Sequence, residues 1–445
     1  MKRTVLVTTI TALLLTTSSV ASASGEEQRT PPDATKAIPD SWAYSDVTQS
    51  YIDARGADRI EADRARGRLL ERIESIPGVT DAGYLISGVD DTTGGLKILW
   101  HGSETARKEE VRAAARDADL PVAFVDYPFS WKEVDEQARK IAAMRATLSS
   151  IGFELSGVST VAFDRPSLVA EGSLSATKGP TDDALATKGI VEAAQELVKE
   201  AGSLPVDVRI SPRFAPIDAR PSRTTDVSAF SAGGFMRSFL LDPSASSVCS
   251  SGFTLRINDV DRPTTARHCR PAVAGGSWRA YNADSSSYGD RDIRGNVTGT
   301  ATLASTGIGW TFDGGPGSSD IVPVRGMQKV GVGDLVCTDG GNSGVHCDGK
   351  IVDVRYLMTS DEEGDFYTMR AEQVNKNVLG VSGDSGGPVI VPWADGFGAV
   401  GILQAAGGVA DCGTTNHPAV DCGWAVLFSD IYSVSADLGG TLVTG

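Results

Sequence analysis

All six cysteines of this 445-residue chain fall after its midpoint: Cys249, Cys269, Cys337, Cys347, Cys412 and Cys422. An even set confined to one part predicts a disulfide-bearing unit made in an oxidising compartment, preceded by a cysteine-free unit of different character. Spacing alone leaves many pairings open. The length agrees with a division, since a single domain usually runs to roughly 100–200 residues. Residues 231–445 are rich in glycine and carry short apolar runs such as Gly252–Ile257 and Gly398–Leu403, with hardly any helical periodicity. That pattern predicts an all-β barrel or sandwich.

The preceding part reads differently. Residues 1–23 have a basic start (Lys2, Arg3), an apolar stretch from Val5 to Leu15 and a small-residue site at Ala21-Ser22-Ala23, the pattern of a signal peptide. No later apolar run is long enough for a membrane anchor, so a secreted, extracellular product is expected. The net charge of −16 argues against nucleic acid and anionic membranes, which attract basic surfaces. Residues 24–50 are polar and contain prolines, and are read as a mobile segment.

An internal repeat follows. Gly83-Tyr84-Leu85-Ile86-Ser87-Gly88-Val89 recurs as Gly152-Phe153-Glu154-Leu155-Ser156-Gly157-Val158, and Leu120-Pro121-Val122 as Leu204-Pro205-Val206. Leu69, Leu70, Ile73 and Ile76 share one helical face; Val134, Ala138, Ile141, Met144 and Leu148 share another, opened by a Ser130–Glu133 capping box. Each copy therefore reads helix, hairpin, helix, strand: two αββαβ units over 51–130 and 131–213, enough for a small α+β fold. His101 reads as an exposed residue. Residues 214–230, with Pro216, Arg220, Pro221 and Arg223, read as a linker.

Chemistry concentrates at Gly383-Asp384-Ser385-Gly386-Gly387-Pro388. A hydroxyl on so glycine-rich a turn leaves backbone N–H groups unshielded, here those of Gly383 and Ser385, which could hold the oxyanion formed when the serine attacks a carbonyl. Serine needs a base. Of four histidines, His268 stands in Thr265-Ala266-Arg267-His268-Cys269. His346 and His417 read as surface residues. No Cys/His cluster has zinc spacing, and neither metal nor cofactor is expected.

With these two motifs and Asp320 before Ile321-Val322, the chain resembles secreted bacterial serine proteases of the chymotrypsin superfamily, close to the streptogrisins. Arg267 departs from the small residue usual there. The resemblance implies two six-stranded antiparallel β-barrels in 231–445 and a Ser385–His268–Asp320 triad, with the Gly383 and Ser385 N–H groups as oxyanion hole. It implies disulfides Cys249–Cys269 and Cys337–Cys347. The family's cysteine just before the serine is missing, which leaves Cys412 to Cys422. It further implies a substrate pocket bounded by Leu379, Val381, Gln404, Ala405 and Ala406, apolar and of medium size, and an Asp384 that is buried and paired with a cation after maturation. Residues 24–230 would be a pro-region that assists folding and inhibits, removed by a cut after Phe230 with Arg220 or Arg223 as rival sites. A β-barrel with distant strand pairings folds slowly, and an added strand can both template it and cover it. A monomeric secreted endopeptidase acting on peptide substrates is the expectation. A catalytically inactive, protease-like binding protein whose repeats recognise an extracellular partner is the alternative.

Overall fold

The computed structural model describes residues 42–103, 106–174, 184–211, 223, 225–239, 247–269, 279–282, 287–360, 364–416 and 421–445. The signal-peptide stretch, residues 24–41, most of the linker and His417 lie outside them.

Residues 42–50 depart from the expected mobility. Ser45 caps helix α1 (Asp46–Arg55), accepting from the Thr48 N–H. The Ser45 and Thr48 hydroxyls donate to Asp313 at 3.0 and 2.5 Å. Tyr44 tilts against Phe397 with ring centroids 5.2 Å apart, and Trp42 lies edge-on to Tyr44. Two aromatic rings supply the apolar area that the polar composition around them conceals.

The two repeats fold as read. The first comprises α2 (Ala57–Glu74), β1 (Tyr84–Val89), β2 (Leu96–His101), α3 (Ala106–Asp117) and β3 (Val122–Tyr127). The second comprises α4 (Trp131–Ala143), α5 (Arg145–Ser150), β4 (Phe153–Ser159), β5 (Leu168–Leu174), α6 (Ala184–Lys199) and β6 (Val206–Ile210). In each, an antiparallel hairpin is followed by a parallel third strand. The Ser130–Glu133 capping box is formed. Leu69, Leu70 and Ile73 bury against Trp100 and Val111, and Val134, Ala138 and Ile141 against Phe153 and Leu168. Leu99 joins the second repeat's core while Trp100 joins the first, so the first hairpin is covered on both faces. His101 is half-buried, its Nδ1 3.1 Å from the Tyr127 carbonyl, rather than exposed.

The remainder is almost entirely β. Its first part contains β7 (Phe230–Ala232), β8 (Phe235–Phe239), β9 (Ser247–Ser250), β10 (Thr254–Ile257), β11 (Val260–Ala266), β12 (Arg279–Tyr281), β13 (Ser287–Gly289), β14 (Arg291–Arg294), β15 (Thr300–Leu303), β16 (Gly307–Phe312) and β17 (Ile321–Met327). β7, β8, β11, β13 and β15 pack around Phe230, Met236, Ala266, Tyr288 and Leu303, while Leu255 of β10 and Val322 of β17 join a second cluster with Phe397. The second part holds β18 (Leu335–Gly340), β19 (Gly344–Met358), β20 (Phe366–Gln373), β21 (Gly380–Val381), β22 (Pro388–Trp393), β23 (Gly396–Gly407), β24 (Cys422–Gly423), β25 (Ala425–Asp430), helix α7 (Ile431–Leu438) and β26 (Thr441–Leu442). Antiparallel pairing runs β18–β19–β20–β25–β23–β22 and back to β18, a closed six-stranded barrel. Val336, Ile351, Val389, Val400 and Phe428 fill it.

β19 is 15 residues long and outruns the barrel. Its far end takes β4 as a further antiparallel strand, with Tyr356 opposite Ser159, Leu357 opposite Val158 and Met358 opposite Gly157. The sheet β6–β5–β4 thereby continues into the barrel wall. Side chains reinforce the seam. Ser159 Oγ donates to Asp353 at 2.6 Å, Arg370 pairs with Glu171, Arg66 pairs with Asp334 at 3.1 Å, and Lys329 bridges Glu74 and Asp430 at 2.8 and 3.2 Å.

The linker's end is built into the β region. The Arg223 guanidinium is fully buried in an ion pair with Asp339, and donates to the Gly314 carbonyl at 2.8 Å. Phe230 stacks on Tyr288 with centroids 3.8 Å apart, its N–H bonds Thr306 at 2.9 Å, and the Ser231 N–H bonds the Asp226 carboxylate at 2.8 Å. The Phe230–Ser231 bond is thus inside β7, and Phe230, Ser231 and Arg223 are buried. Arg220 lies outside the described residues.

Two outcomes follow from this packing. A Cβ at Gly157 would stand 2.4 Å from the Tyr356 ring. Gly157→Val should therefore lower hydrogen-exchange protection of Val158 and Leu357 about 10- to 100-fold, the size of an overpacking penalty, while β22 and β23 keep theirs. Arg223→Ala leaves Asp339 buried and unpaired, and should cost about 3–5 kcal/mol in urea unfolding. Arg223→Met combined with Asp339→Leu should recover most of that loss.

Candidate functional site

The turn at 383–387 joins β21 to β22. Gly383 and Gly386 have φ of 98° and 87°, a region closed to most side chains. A Cβ on Gly386 would also meet Thr265 Oγ1 at 2.3 Å and the Ser250 carbonyl at 2.5 Å, so the end of β11 is pressed against the turn. Ser250 clamps it, its N–H donating to the Ser385 carbonyl and its Oγ to the Gly383 carbonyl, each at 2.7 Å. The Asp384 and Gly386 N–H groups are committed to Val381 and Leu403 carbonyls. Among the described residues, the N–H groups of Gly383 and Ser385 donate to no protein atom. Two free donors flank a serine whose side chain is fully buried, with Oγ 3.4 Å from the Gln404 carbonyl.

His268 lies in the 3₁₀ turn Arg267–Cys269 that ends β11, and is half-buried. The Cys249–Cys269 disulfide ties that turn to β9. Cys269 Sγ stands 3.6 Å from the Ser385 carbonyl oxygen, so the histidine turn and the serine turn are in contact. Arg267 is accommodated by the turn at 295–299. Its guanidinium donates to the Gly295 carbonyl at 2.8 Å and its N–H to the Gly299 carbonyl at 2.7 Å.

Asp320 does not join this group. It is exposed at the β16–β17 hairpin end, where its carboxylate accepts from Ser318 Oγ at 3.3 Å. A carboxylate facing solvent there has no hold on the imidazole. The nearby Asp313 is buried, but its oxygens serve Ser45, Thr48 and the Gly314 N–H. Asp437 was not singled out from sequence. From α7 its carboxylate accepts from the N–H groups of Asn296, Val297 and Thr298 at 2.9–3.0 Å. Burial opposes its ionisation, yet the Thr298 hydroxyl and these N–H groups hold it below the usual carboxylate range.

The expected pocket residues separate. Leu379 and Ala406 belong to the barrel core, in one cluster with Val336, Ile351 and Val426. Val381 pairs with Cys422 across β21–β24, and Ala405 is buried against Tyr356 and Leu427. Gln404 differs. A register shift between Leu403 and Ala405 leaves it as the extra residue of a bulge in β23, a device that re-aims a side chain. It is fully buried, with Nε2 3.5 Å from the Thr298 carbonyl, which also accepts from Ser429 Oγ at 2.5 Å.

The three disulfides pair as expected, Cys249–Cys269, Cys337–Cys347 and Cys412–Cys422. His346 is half-buried on β19, and no group of metal-ligating side chains occurs among the described residues. No helix among the described residues is long and apolar enough to cross a membrane.

Asp384 is anticipated to meet a cation only after maturation. It is buried and accepts from Ser343 Oγ at 2.6 Å and from the N–H groups of Val381, Asn342 and Ser343. These partners are all uncharged, so hydrogen bonds alone hold the carboxyl group here.

No protein-family model matches the chain, and no curated protein matches it. Among solved structures, it is similar to a glutamic-acid-specific serine protease, at 18% identity over 47% of this chain and 98% of that one with a TM-score of 0.35. Thermobifida fusca protease A gives 24%, 48%, 98% and 0.35. The alpha-lytic protease homolog N4 gives 21%, 49%, 99% and 0.35.

Burial pushes the Asp384 carboxyl up to about 6 against the hydrogen bonds that favour its ionised form. Its unfolded value is about 3.9, so between pH 4 and 6 the folded chain holds a proton that the unfolded chain releases. The ionisation penalty is complete above pH 6 and vanishes below about pH 4. The stability difference between wild type and Asp384→Asn should therefore slope across that window by at most about 2–3 kcal/mol, in wild type's favour as pH falls, and be flat outside it.

Proposed function

We propose that this chain is a secreted serine endopeptidase of the chymotrypsin-like kind, made as a precursor. The observation that carries the reading is the pair of free N–H groups, Gly383 and Ser385, around the Ser385 hydroxyl. Ser385 Oγ attacks the peptide carbonyl. His268, on the turn in contact with Ser385, takes its proton. The two N–H groups receive the oxyanion, an arrangement worth about 2.7–4 kcal/mol per donor in barrier height. His268 then protonates the leaving amine, and water repeats the sequence on the acyl-enzyme. No metal or cofactor enters these steps. The resemblance to the streptogrisins, and not the placement of Val381 and Ala405, is what favours an apolar side chain before the scissile bond.

The N-terminal half acts as pro-region. Its β4 lengthens the barrel's own sheet, which supports a role as folding template. A cut that keeps β7 and the Arg223–Asp339 pair intact falls before Arg223 and not at Phe230. Mature enzyme would then begin upstream of β7 and work as a monomer on protein or peptide substrates.

The inactive binding protein is kept as a second reading, because Ser385 is fully buried and Asp320 is detached from His268. A fluorophosphonate probe on the secreted protein separates the two. Stoichiometric labelling that is lost in Ser385→Ala, with N-terminal sequencing that finds a fragment beginning at or before Arg223, is the expected result. Absence of labelling after the N-terminal half has been removed would replace the enzyme with the binding protein.

A further inference from the structure

The turn that carries Ser385 is held from behind by a second turn, residues 341–343, which joins β18 to β19. Ser343 Oγ, the Ser343 N–H and the Asn342 N–H donate to the Asp384 carboxylate at 2.6, 3.1 and 3.1 Å. The Asn342 side-chain amide donates to the Ser382 carbonyl at 2.5 Å. The Gly341 N–H donates at 2.8 Å to Ser250 Oγ, which itself holds the Gly383 carbonyl. A shift of 341–343 would therefore move the backbone that aims the Gly383 and Ser385 N–H groups. Donors displaced by about 1 Å from a developing oxyanion lose most of their effect.

Residues 341–345 rest in turn on residues 313–316. The Gly314 carbonyl accepts the Val345 N–H at 2.9 Å. A Cβ on Gly344 would stand 2.5 Å from that carbonyl oxygen and 2.9 Å from Gly315 Cα, so the two turns are in van der Waals contact. Asn416 clasps both, its Nδ2 donating to the Pro316 carbonyl at 2.9 Å and its N–H to the Asn342 carbonyl at 3.2 Å. What fixes 313–316 comes from the far end of the chain. Asp313 is fully buried. Among the described residues, its carboxylate accepts the Gly314 N–H at 2.7 Å, the Ser45 N–H at 2.7 Å, Ser45 Oγ at 3.0 Å and Thr48 Oγ1 at 2.5 Å. None of these donors is charged, and a buried carboxylate without a cation depends on each hydrogen bond it accepts. Undocking of 42–48 takes away every donor except Gly314. The carboxylate must then reach water, and the turn that carries it must open.

We propose that residues 42–48 are an activating strap: by satisfying Asp313 they brace turn 313–316 against turn 341–343, and through Ser343 and Asp384 they hold the Gly383 and Ser385 N–H groups in the geometry that receives an oxyanion. Asp313 and Ser343 are then positioning residues, acting through the turn they support. Tyr44 fastens the strap, with its ring against Phe397 and its hydroxyl at the Trp393 and Gly396 carbonyls. One part of the N-terminal half would thus serve the site instead of blocking it, and the barrel works best with that part docked. The kinetic consequence rests on the proposed serine-protease reading, whereas the coupling between the turns does not.

Two readouts on the full-length chain test it. Ser45→Ala combined with Thr48→Val removes both hydroxyls from Asp313. Hydrogen exchange at the Asn342, Ser343 and Val381 amides, all of which donate to Asp384, should quicken about 10- to 100-fold, the scale of one lost hydrogen bond to a charged group. Fluorophosphonate labelling of Ser385 and kcat for peptide hydrolysis should fall by a similar factor, with KM changed less than about threefold. Ser45→Thr combined with Thr48→Ser keeps both hydroxyls and should keep wild-type exchange and rate. Gly157→Val loosens the other attachment, β4 on β19, and should leave both readouts where they are.

Unchanged exchange at 342–343 in the Ser45→Ala, Thr48→Val chain overturns the proposal. Faster labelling of that chain overturns it too, since the segment would then be an inhibitor, and so does an equal loosening in Gly157→Val, which would mark a general opening. Intact disulfides and circular dichroism guard the double substitution, and Thr48→Val alone stands in for it should that chain misfold. If wild type does not react at all, the enzyme reading fails, and exchange at Asn342 and Ser343 still decides whether the strap holds the turn.

Discussion

The length of β19 is the constraint on which the arrangement turns. A strand of 15 residues is about twice what a small barrel wall uses. Within the barrel it pairs with β18 and β20. Past it, the backbone N–H and C=O groups on one edge have no barrel neighbour, and an exposed edge of that kind invites another strand. β4 supplies it. The register is set by side chains as well as backbone, since Gly157 leaves room for the Tyr356 ring and Ser159 finds Asp353. The ion pairs of Arg66, Lys329 and Arg370 ring the seam, and each crosses it. The halves share a sheet rather than touching as two finished domains.

The local order of the N-terminal half was legible because it depends on short-range rules. Leu69 with Ile73 and Val134 with Ile141 are helical repeats whose buried faces are the ones periodicity marks, and the Ser130–Glu133 box closes within four residues. The all-β character of the later half was equally plain from its glycine spacing. The β4–β19 register was not legible, because it joins residues some 200 positions apart in sequence through an unremarkable tyrosine and a glycine. Trp42 and Tyr44 escaped notice for a related reason: two aromatic rings in a polar, proline-bearing stretch lower no average by much, yet they bind by area.

The site divides along the same line. Ser385 and His268 stand in contiguous motifs whose turn geometry follows from glycine and a disulfide. Asp320 matched a pattern of an acid before two apolar residues, which any strand that leaves a turn can meet. Whether that acid reaches a histidine depends on which way the hairpin folds, and here it folds to solvent. Gln404 was read as a pocket wall because Gly401–Ala406 resembles a pocket-wall strand, with the alternation of a regular strand assumed. A bulge shifts the alternation by one residue, and a bulge leaves no mark in the sequence.

The docking of Trp42 and Tyr44 has a consequence for how the two halves would part. The N-terminal half grips the barrel at β4 and again, more than 100 residues earlier, at Phe397. With the ion pairs of Arg66 and Lys329 between them, these grips act as a multivalent ligand does. When one opens, the others keep it at an effective concentration of the millimolar order, and it closes again before the fragment can diffuse away. Cutting the linker would therefore not by itself free the barrel.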